Sequence, residues 1–412
     1  PDLRAEARLR FGAHWPRAHL SALVDGSALS SARNRFDVRG SRDGAAVAVR
    51  SAYLLWENAR LLLVVGRLPV EWGNGLTGGL GITAAGPSLD GFLGRARWKY
   101  AHATILSAFL EDEFANRRLD RMGNTVPSSI PDDDPPIVDR YLHGHRVDFR
   151  LGRLDLGIYE TALVSGVRRH ADLRFAVGLL PYNVIQLERD EVDEVDINLA
   201  AGGQFRLRLP FQALLYGEYF ADEIFLDTDL GEVIRGLRGE RANTQGFQQG
   251  VRWLEPFGAE GLQLEAEWIR LERFVYLHRG LNTNWRRRGV PIGSFLGPDS
   301  ERLAIAVRYD RLLDGAWASA ELGVVFHRRG MGRITDNVDI QAPAASTQPR
   351  VPAERRRLLV ADLRLIWPGV GHGGFRVQGG RIENANNLAG EVAEPLDLEL
   401  YVTLTRRWVD VR

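Results

Sequence analysis

Apolar and polar residues alternate along much of the chain with a period of two, the pattern of a strand with two chemically different faces. Toward one end Leu396, Leu398, Leu400, Val402 and Leu404 alternate with Asp397, Glu399, Tyr401, Thr403 and Thr405. Toward the other, Leu3, Ala5, Ala7, Leu9 and Phe11 alternate with Arg4, Glu6, Arg8 and Arg10. Similar segments recur at 143–151, 154–164, 261–271, 302–311, 316–327 and 357–367. Most run about ten residues, the length a tilted strand needs to cross a bilayer. No stretch reaches the ~18 apolar residues of a membrane-spanning helix, and the longest runs, such as Leu61–Val65, are strand-sized. The pattern predicts an all-β fold: an antiparallel transmembrane β-barrel of the outer-membrane type, formed by 1–412 as a single domain. Its apolar face turns to lipid and its polar face to a filled lumen.

The connections sharpen this expectation. Short ones fall at 55–60, 100–102, 151–154, 206–209, 254–261, 311–316 and 367–372. Long polar ones fall at 26–44, 68–91, 112–142, 165–195, 222–245, 272–301, 328–356 and 383–394. Short and long alternate, as the periplasmic turns and extracellular loops of a barrel do. The alternation holds throughout only if the apolar piece Phe175–Leu180 lies inside a long loop, where it reads as a short helix. About 17 strands result, the first and the last both descending. Single-chain bacterial barrels have even strand numbers, so one further strand is expected before Pro1, making about 18.

Composition and charge remove other classes. The chain has 53 basic and 53 acidic residues and no net charge, whereas a nucleic-acid binder would carry a basic excess. It has no cysteine, which suits an envelope protein that crosses an oxidising compartment unfolded. Gly73-Asn74-Gly75 with Gly78, Gly79 and Gly81 does not sit between a strand and a helix, so it reads as loop glycine and not as a phosphate cradle. His143 and His145 have no third ligand nearby and read as an exposed pair at a strand entry. The run Asp132–Asp134 reads as a solvated loop tip. No catalytic Ser/His/Asp or Cys/His arrangement stands out, and no cofactor or metal is expected.

The inward set is the more informative constellation. Arg95, Arg97, Arg146, Arg308 and Arg364 alternate in sign with Asp148, Asp155, Glu218, Glu265, Glu267, Asp310, Asp362 and Glu399. Interleaved charges at cross-strand spacing imply salt-bridged ladders that brace the wall. Mixed sign also argues against a strongly ion-selective pore.

Several segments together resemble the capsule-assembly Wzi family of outer-membrane proteins: Gly66–Gly75, with its Trp72-Gly73-Asn74-Gly75; His145–Arg150 followed by Leu156–Glu160; Tyr216–Glu223; and Gly289–Ser300. The third departs from the expected paired aspartates, having Asp222-Glu223. The resemblance implies an 18-stranded barrel in the bacterial outer membrane, within its lipopolysaccharide leaflet, and a lectin-like role in holding capsular or related polysaccharide. A glycan site needs aromatic platforms beside carboxylates and arginines. Trp72, Asp90, Trp285, Arg287 and Asp299 fall in predicted extracellular loops and fit that mixture, with Glu160, Tyr219 and Asp222 at the outer ends of strands. Two alternatives stand beside this reading: a porin or oligosaccharide-passing channel, and a structural barrel within an assembly of other envelope proteins.

Overall fold

A computed structural model of the chain describes residues 6–29, 46–114, 137–167, 171–177, 180–187, 196–222, 244–278, 281–330, 332, 352–368 and 371–404. Strands β1 (Glu6–Trp15), β2 (Leu20–Leu29), β3 (Ala46–Glu57), β4 (Leu61–Leu68), β5 (Leu89–Arg97) and β6 (Ala101–Phe109) open a single antiparallel meander. It continues through β7 (Ile137–Leu151), β8 (Leu154–Val167), β9 (Asp196–Arg208), β10 (Ala213–Asp222), β11 (Gln245–Leu254) and β12 (Leu262–Leu271). It closes with β13 (Ser300–Leu313), β14 (Ala316–Arg329), β15 (Glu354–Trp367), β16 (Gly371–Glu383) and β17 (Leu396–Leu404). Two-residue pieces at Glu113–Phe114 and Val392–Ala393 complete a 19-stranded sheet. Each long strand pairs with the next in sequence, and β1 and β17 lie side by side. This is the outer-membrane β-barrel that the alternation predicts.

Turn chemistry sets the register at the short end. Asp314-Gly315 joins β13 to β14 with both residues at positive φ, the twist-matched turn of a two-residue hairpin. Gly152-Arg153 does the same between β7 and β8, with Gly152 at positive φ. Because pairing carries the period of two around the sheet, one row shows the sorting. Leu303, Ile305, Val307 and Tyr309 of β13 are exposed on the outer face, opposite Phe326, Val324, Leu322 and Ala320 of β14. The intervening Arg308 and Asp310 face the lumen and pair with each other at 3.1 Å. Outer apolar positions exposed in this way are what lipid requires and water would penalise.

Two long connections do not stay outside. Residues 69–88, between β4 and β5, and 272–278 with 281–299, between β12 and β13, fold into the barrel and form its core with the wall. Trp72, Leu80, Ile82, Val275, Tyr276, Trp285 and Ile292 pack there against Leu106, Leu142, Tyr159, Phe220 and Ile269. The two loops hold each other through Trp72 N–H to Ile82 O, Thr83 N–H to Ile292 O and Trp285 Nε1 to Gly81 O. The segment 171–187 does form short helices, α1 (Leu173–Val177) and α2 (Tyr182–Leu187), outside the sheet as expected. The run Asp132–Asp134 and residue Arg4 lie outside the described residues.

Candidate functional site

The lumen wall presents carboxylates to the first folded-in loop and a guanidinium to the second, which fixes both. Glu218 of β10 accepts hydrogen bonds from Leu80 N–H (3.1 Å), Gly81 N–H (3.2 Å) and the Tyr159 hydroxyl (2.6 Å). Glu267 of β12 accepts from Leu76 N–H (2.7 Å), Thr77 Oγ1 (2.5 Å), Tyr216 Oη (2.9 Å) and Gln248 Nε2 (2.9 Å). Both carboxylates are buried, and a buried charge is tolerable only when its lone pairs are met in this way. The glycine run 73–81 therefore does cradle anions, but they are the protein's own side chains.

Glu71, within the loop, closes the same turn. It accepts from Gly73 N–H, Gly79 N–H, Thr83 Oγ1 and Ala84 N–H at 2.7–3.1 Å. Burial raises its pKa above the ordinary carboxylate value, opposed by those donors. Gly73 and Gly79 are needed here because their backbones touch, and a Cβ on either would collide with the other. Tyr276, in the second loop, donates to Leu80 O (2.6 Å) and accepts from Ser294 N–H (3.0 Å), and burial keeps its hydroxyl protonated far above neutral pH.

Arg140 of β7 is the counterpart for the second loop. Fully buried, it donates to the carbonyls of Asn282 (2.6 Å), Asn284 (3.1 Å) and Arg286 (3.0 Å). Arg146 donates to Trp72 O at 2.7 Å while gripping Asp148. Glu71, Arg140 and Tyr276 were not singled out by sequence reasoning. The one signal for Glu71 was its place beside Trp72 and a glycine run; Arg140 and Tyr276 gave none.

The eight residues expected to contact glycan scatter. Trp72 and Trp285 are buried in the core of the folded-in loops, 1% and 0% exposed. Asp222 is buried as well and accepts from Tyr276 N–H at 2.7 Å. Arg287 donates to Ser88 O and to Asp90 (2.6 Å). Asp90 lies on β5, not in the loop expected at 68–91, and also pairs with Arg67 at 2.6 Å. Glu160 and Tyr219 sit on the outer face of the wall, Glu160 at mid-strand. Tyr219 lies against Phe247, with ring centroids 5.3 Å apart. Asp299 remains near the rim, at positive φ, 3.7 Å from the half-exposed Arg328. Earlier in the same loop Phe295 is exposed, with the Arg302 guanidinium 5.9 Å from its ring centroid.

Of the wall set, Arg95, Arg97, Arg146, Asp148, Arg308, Asp362 and Glu399 all fall on the lumen side of the registers. Arg97 pairs with Glu57 at 2.5 Å, and Glu399 stands opposite Arg376. The histidines correct an expectation: His143 is fully buried, not exposed, and hydrogen-bonds Ser107 at 3.0 Å. No cluster of three or more metal-ligating side chains exists among the described residues.

No family model and no curated protein matches the chain. Among solved structures it is similar to Wzi from Escherichia coli, an outer membrane protein involved in group 1 capsule assembly and a carbohydrate-binding β-barrel. The TM-score is 0.58 at 13% identity, over 92% of this chain and 73% of that one. It is also similar to OccAB1 from Acinetobacter baumannii (TM-score 0.44, 11% identity, 92% and 84% covered). OprD, an outer membrane protein from Pseudomonas aeruginosa, gives a TM-score of 0.39 at 8% identity, with 96% and 92% covered. The likeness to Wzi is one of fold: an outer-membrane barrel.

Proposed function

We propose that the protein is a non-enzymatic outer-membrane barrel that binds capsular or related polysaccharide at the cell surface and anchors it there. The observation that carries this reading is the pair of folded-in loops. Each is held inside the barrel by buried charged groups of the wall, as a fixed element and not as a mobile gate. Fixed loops inside the barrel favour holding a ligand at the rim over passing it through. The resemblance of the loop-anchoring segments to the Wzi family, and Wzi's own carbohydrate binding, support the same choice of ligand.

The contact surface we favour is the rim around Asp299, which pairs with the half-exposed Arg328, together with the exposed Phe295 ring earlier in the same loop, which has the Arg302 guanidinium against it. Such a set hydrogen-bonds hydroxyls and acidic sugars and stacks on a pyranose face. The test is a glycan array with purified protein, repeated with Phe295→Ala and Arg328→Ala. Retention of acidic polysaccharide that both substitutions weaken is expected; no binding by the intact barrel sinks the reading.

A channel is the second reading, favoured by lumen-facing charges such as Arg308, Asp310 and Arg364, which stay partly exposed. Planar-bilayer conductance separates the two: closed for an anchor, open for a channel. The lipopolysaccharide leaflet is the surrounding medium in either case, and co-purifying envelope proteins would point instead to a structural subunit.

A further inference from the structure

On β7 the odd-numbered residues face outward, and on β8 the even-numbered ones. Phe149 and Leu151, with Leu156 and Ile158, form an exposed apolar surface near the short-turn end. Higher on the same face stand His143, His145 and Glu160, three polar groups where the wall would meet lipid. Charged side chains on a barrel's lipid face are unfavourable, most of all near the bilayer centre. Here the segment 171–187 covers them. Phe175 stacks on His143 with ring centroids 6.0 Å apart, and Tyr182 lies 4.5 Å from His145. Tyr182 N–H donates to Glu160 at 3.1 Å, and Glu160 stands 3.2 Å from His145 Nε2. Phe175, Tyr182 and Ile185 then close a second core with Ala162, Val164, Ile197 and Leu199.

This loop was expected to reach away from the membrane, yet it turns back onto the outer wall. Its far side is apolar too: Leu173 is 74% exposed, Leu180 50%, and Val177 and Val184 43% each. Arg174, half-exposed and paired with Asp172 at 3.4 Å, is the charged exception, and the four apolar side chains beside it need a nonaqueous neighbour of their own. The exposed side adjoins the outer face of the wall through a groove lined by Ala171, Tyr141, Phe109, Phe92 and Val65, with the mutually neutralising Arg67–Asp90 pair at its rim. Val65, at the groove's end, is 60% exposed on the outward face of β4.

We propose that α1 and α2 lie in the outer leaflet, with Leu173, Val177, Leu180 and Val184 against acyl chains, replacing the wall as the lipid-facing surface over His143, His145 and Glu160. The proposal rests on the barrel fold and is independent of the polysaccharide reading. Because the chain has no cysteine, single labels can be placed at will. An environment-sensitive fluorophore is attached to Leu180→Cys or Val184→Cys in proteoliposomes containing phospholipids with an acyl-chain nitroxide. Leu322→Cys serves as the lipid-facing reference and Leu388→Cys, exposed in the connection between β16 and β17, as the aqueous one. Quenching comparable to Leu322 and several-fold above Leu388 is expected at both Leu180 and Val184. Water-like emission unquenched by the nitroxide overturns the proposal. So does blue-shifted emission that the nitroxide does not reach, which would mean a protein partner on this face.

Discussion

Two arcs of the wall, β4–β12 and β13–β17, carry the same alternation and use its polar face differently. On the first arc Arg140, Asn198, Glu218, Gln248 and Glu267 are buried, and each finds a partner in a folded-in loop. On the second arc the pairs run along single strands two residues apart: Arg308 with Asp310, Arg356 with Glu354, Arg364 with Asp362. The first arrangement fixes the folded-in loops; the second satisfies the wall, with Glu354 alone of these also accepting from a connection, at Asn386 N–H (2.8 Å). Polar character at an inward position therefore says that water or protein lies inside, and the loop decides which.

The comparison breaks first where the first arc is cut. Trp72→Ala removes a fully buried indole from the loop core, a loss of about 3–5 kcal/mol by analogy with other buried aromatics. Planar-bilayer recording should then show a noisy current that the parent lacks. Glu218→Ala leaves the Leu80 and Gly81 N–H groups and the Tyr159 hydroxyl without their acceptor. At roughly 1.5–3 kcal/mol for each hydrogen bond to a charged group, offset by relief of a buried carboxylate, it should also loosen the loops. Limited proteolysis within 69–88 is the measurement; an uncut loop in both variants would mean the two arcs do not differ as described.

A smaller effect is expected with pH. The docked Glu71 holds its proton more tightly than an exposed carboxylate, since burial raises its pKa. Docking is thus favoured as pH falls through the raised value toward the ordinary one, and disfavoured as pH rises above it. Glu71→Gln should flatten this dependence, read as the pH profile of loop protection from protease. The smallest effect belongs to the second arc. Arg364→Ala removes a half-exposed partner of Asp362 and should change thermal stability by about 0–1 kcal/mol. If it destabilises as much as Trp72→Ala, the second arc is packed after all.

Much of the barrel was legible because its rule is local. A period of two sorts Leu396, Leu398, Leu400 and Val402 from Asp397 and Glu399 whatever the rest of the chain does. Loop parity placed Phe175 outside the sheet for the same reason: a strand there would have broken the alternation. The site was less legible. Trp72 and Trp285 read as surface platforms, yet they are the core of the folded-in loops, because an indole in a polar connection looks the same whether the loop faces water or turns inward. His143 looked exposed because the helix that covers it comes from another connection. The segments 66–75, 145–160, 216–222 and 289–300 meet at these loops, through contacts such as Glu218 with Gly81 and Arg146 with Trp72 O.

By itself, then, the sequence determined strand number, face and order, which follow from nearest-neighbour periodicity and turn length. Only the tertiary structure decided which connections enter the barrel, which one lies on its outer wall, and which charges they meet. Those outcomes depend on contacts such as Leu76 with Glu267 or Asn282 with Arg140, well over a hundred positions apart, and no local pattern records them.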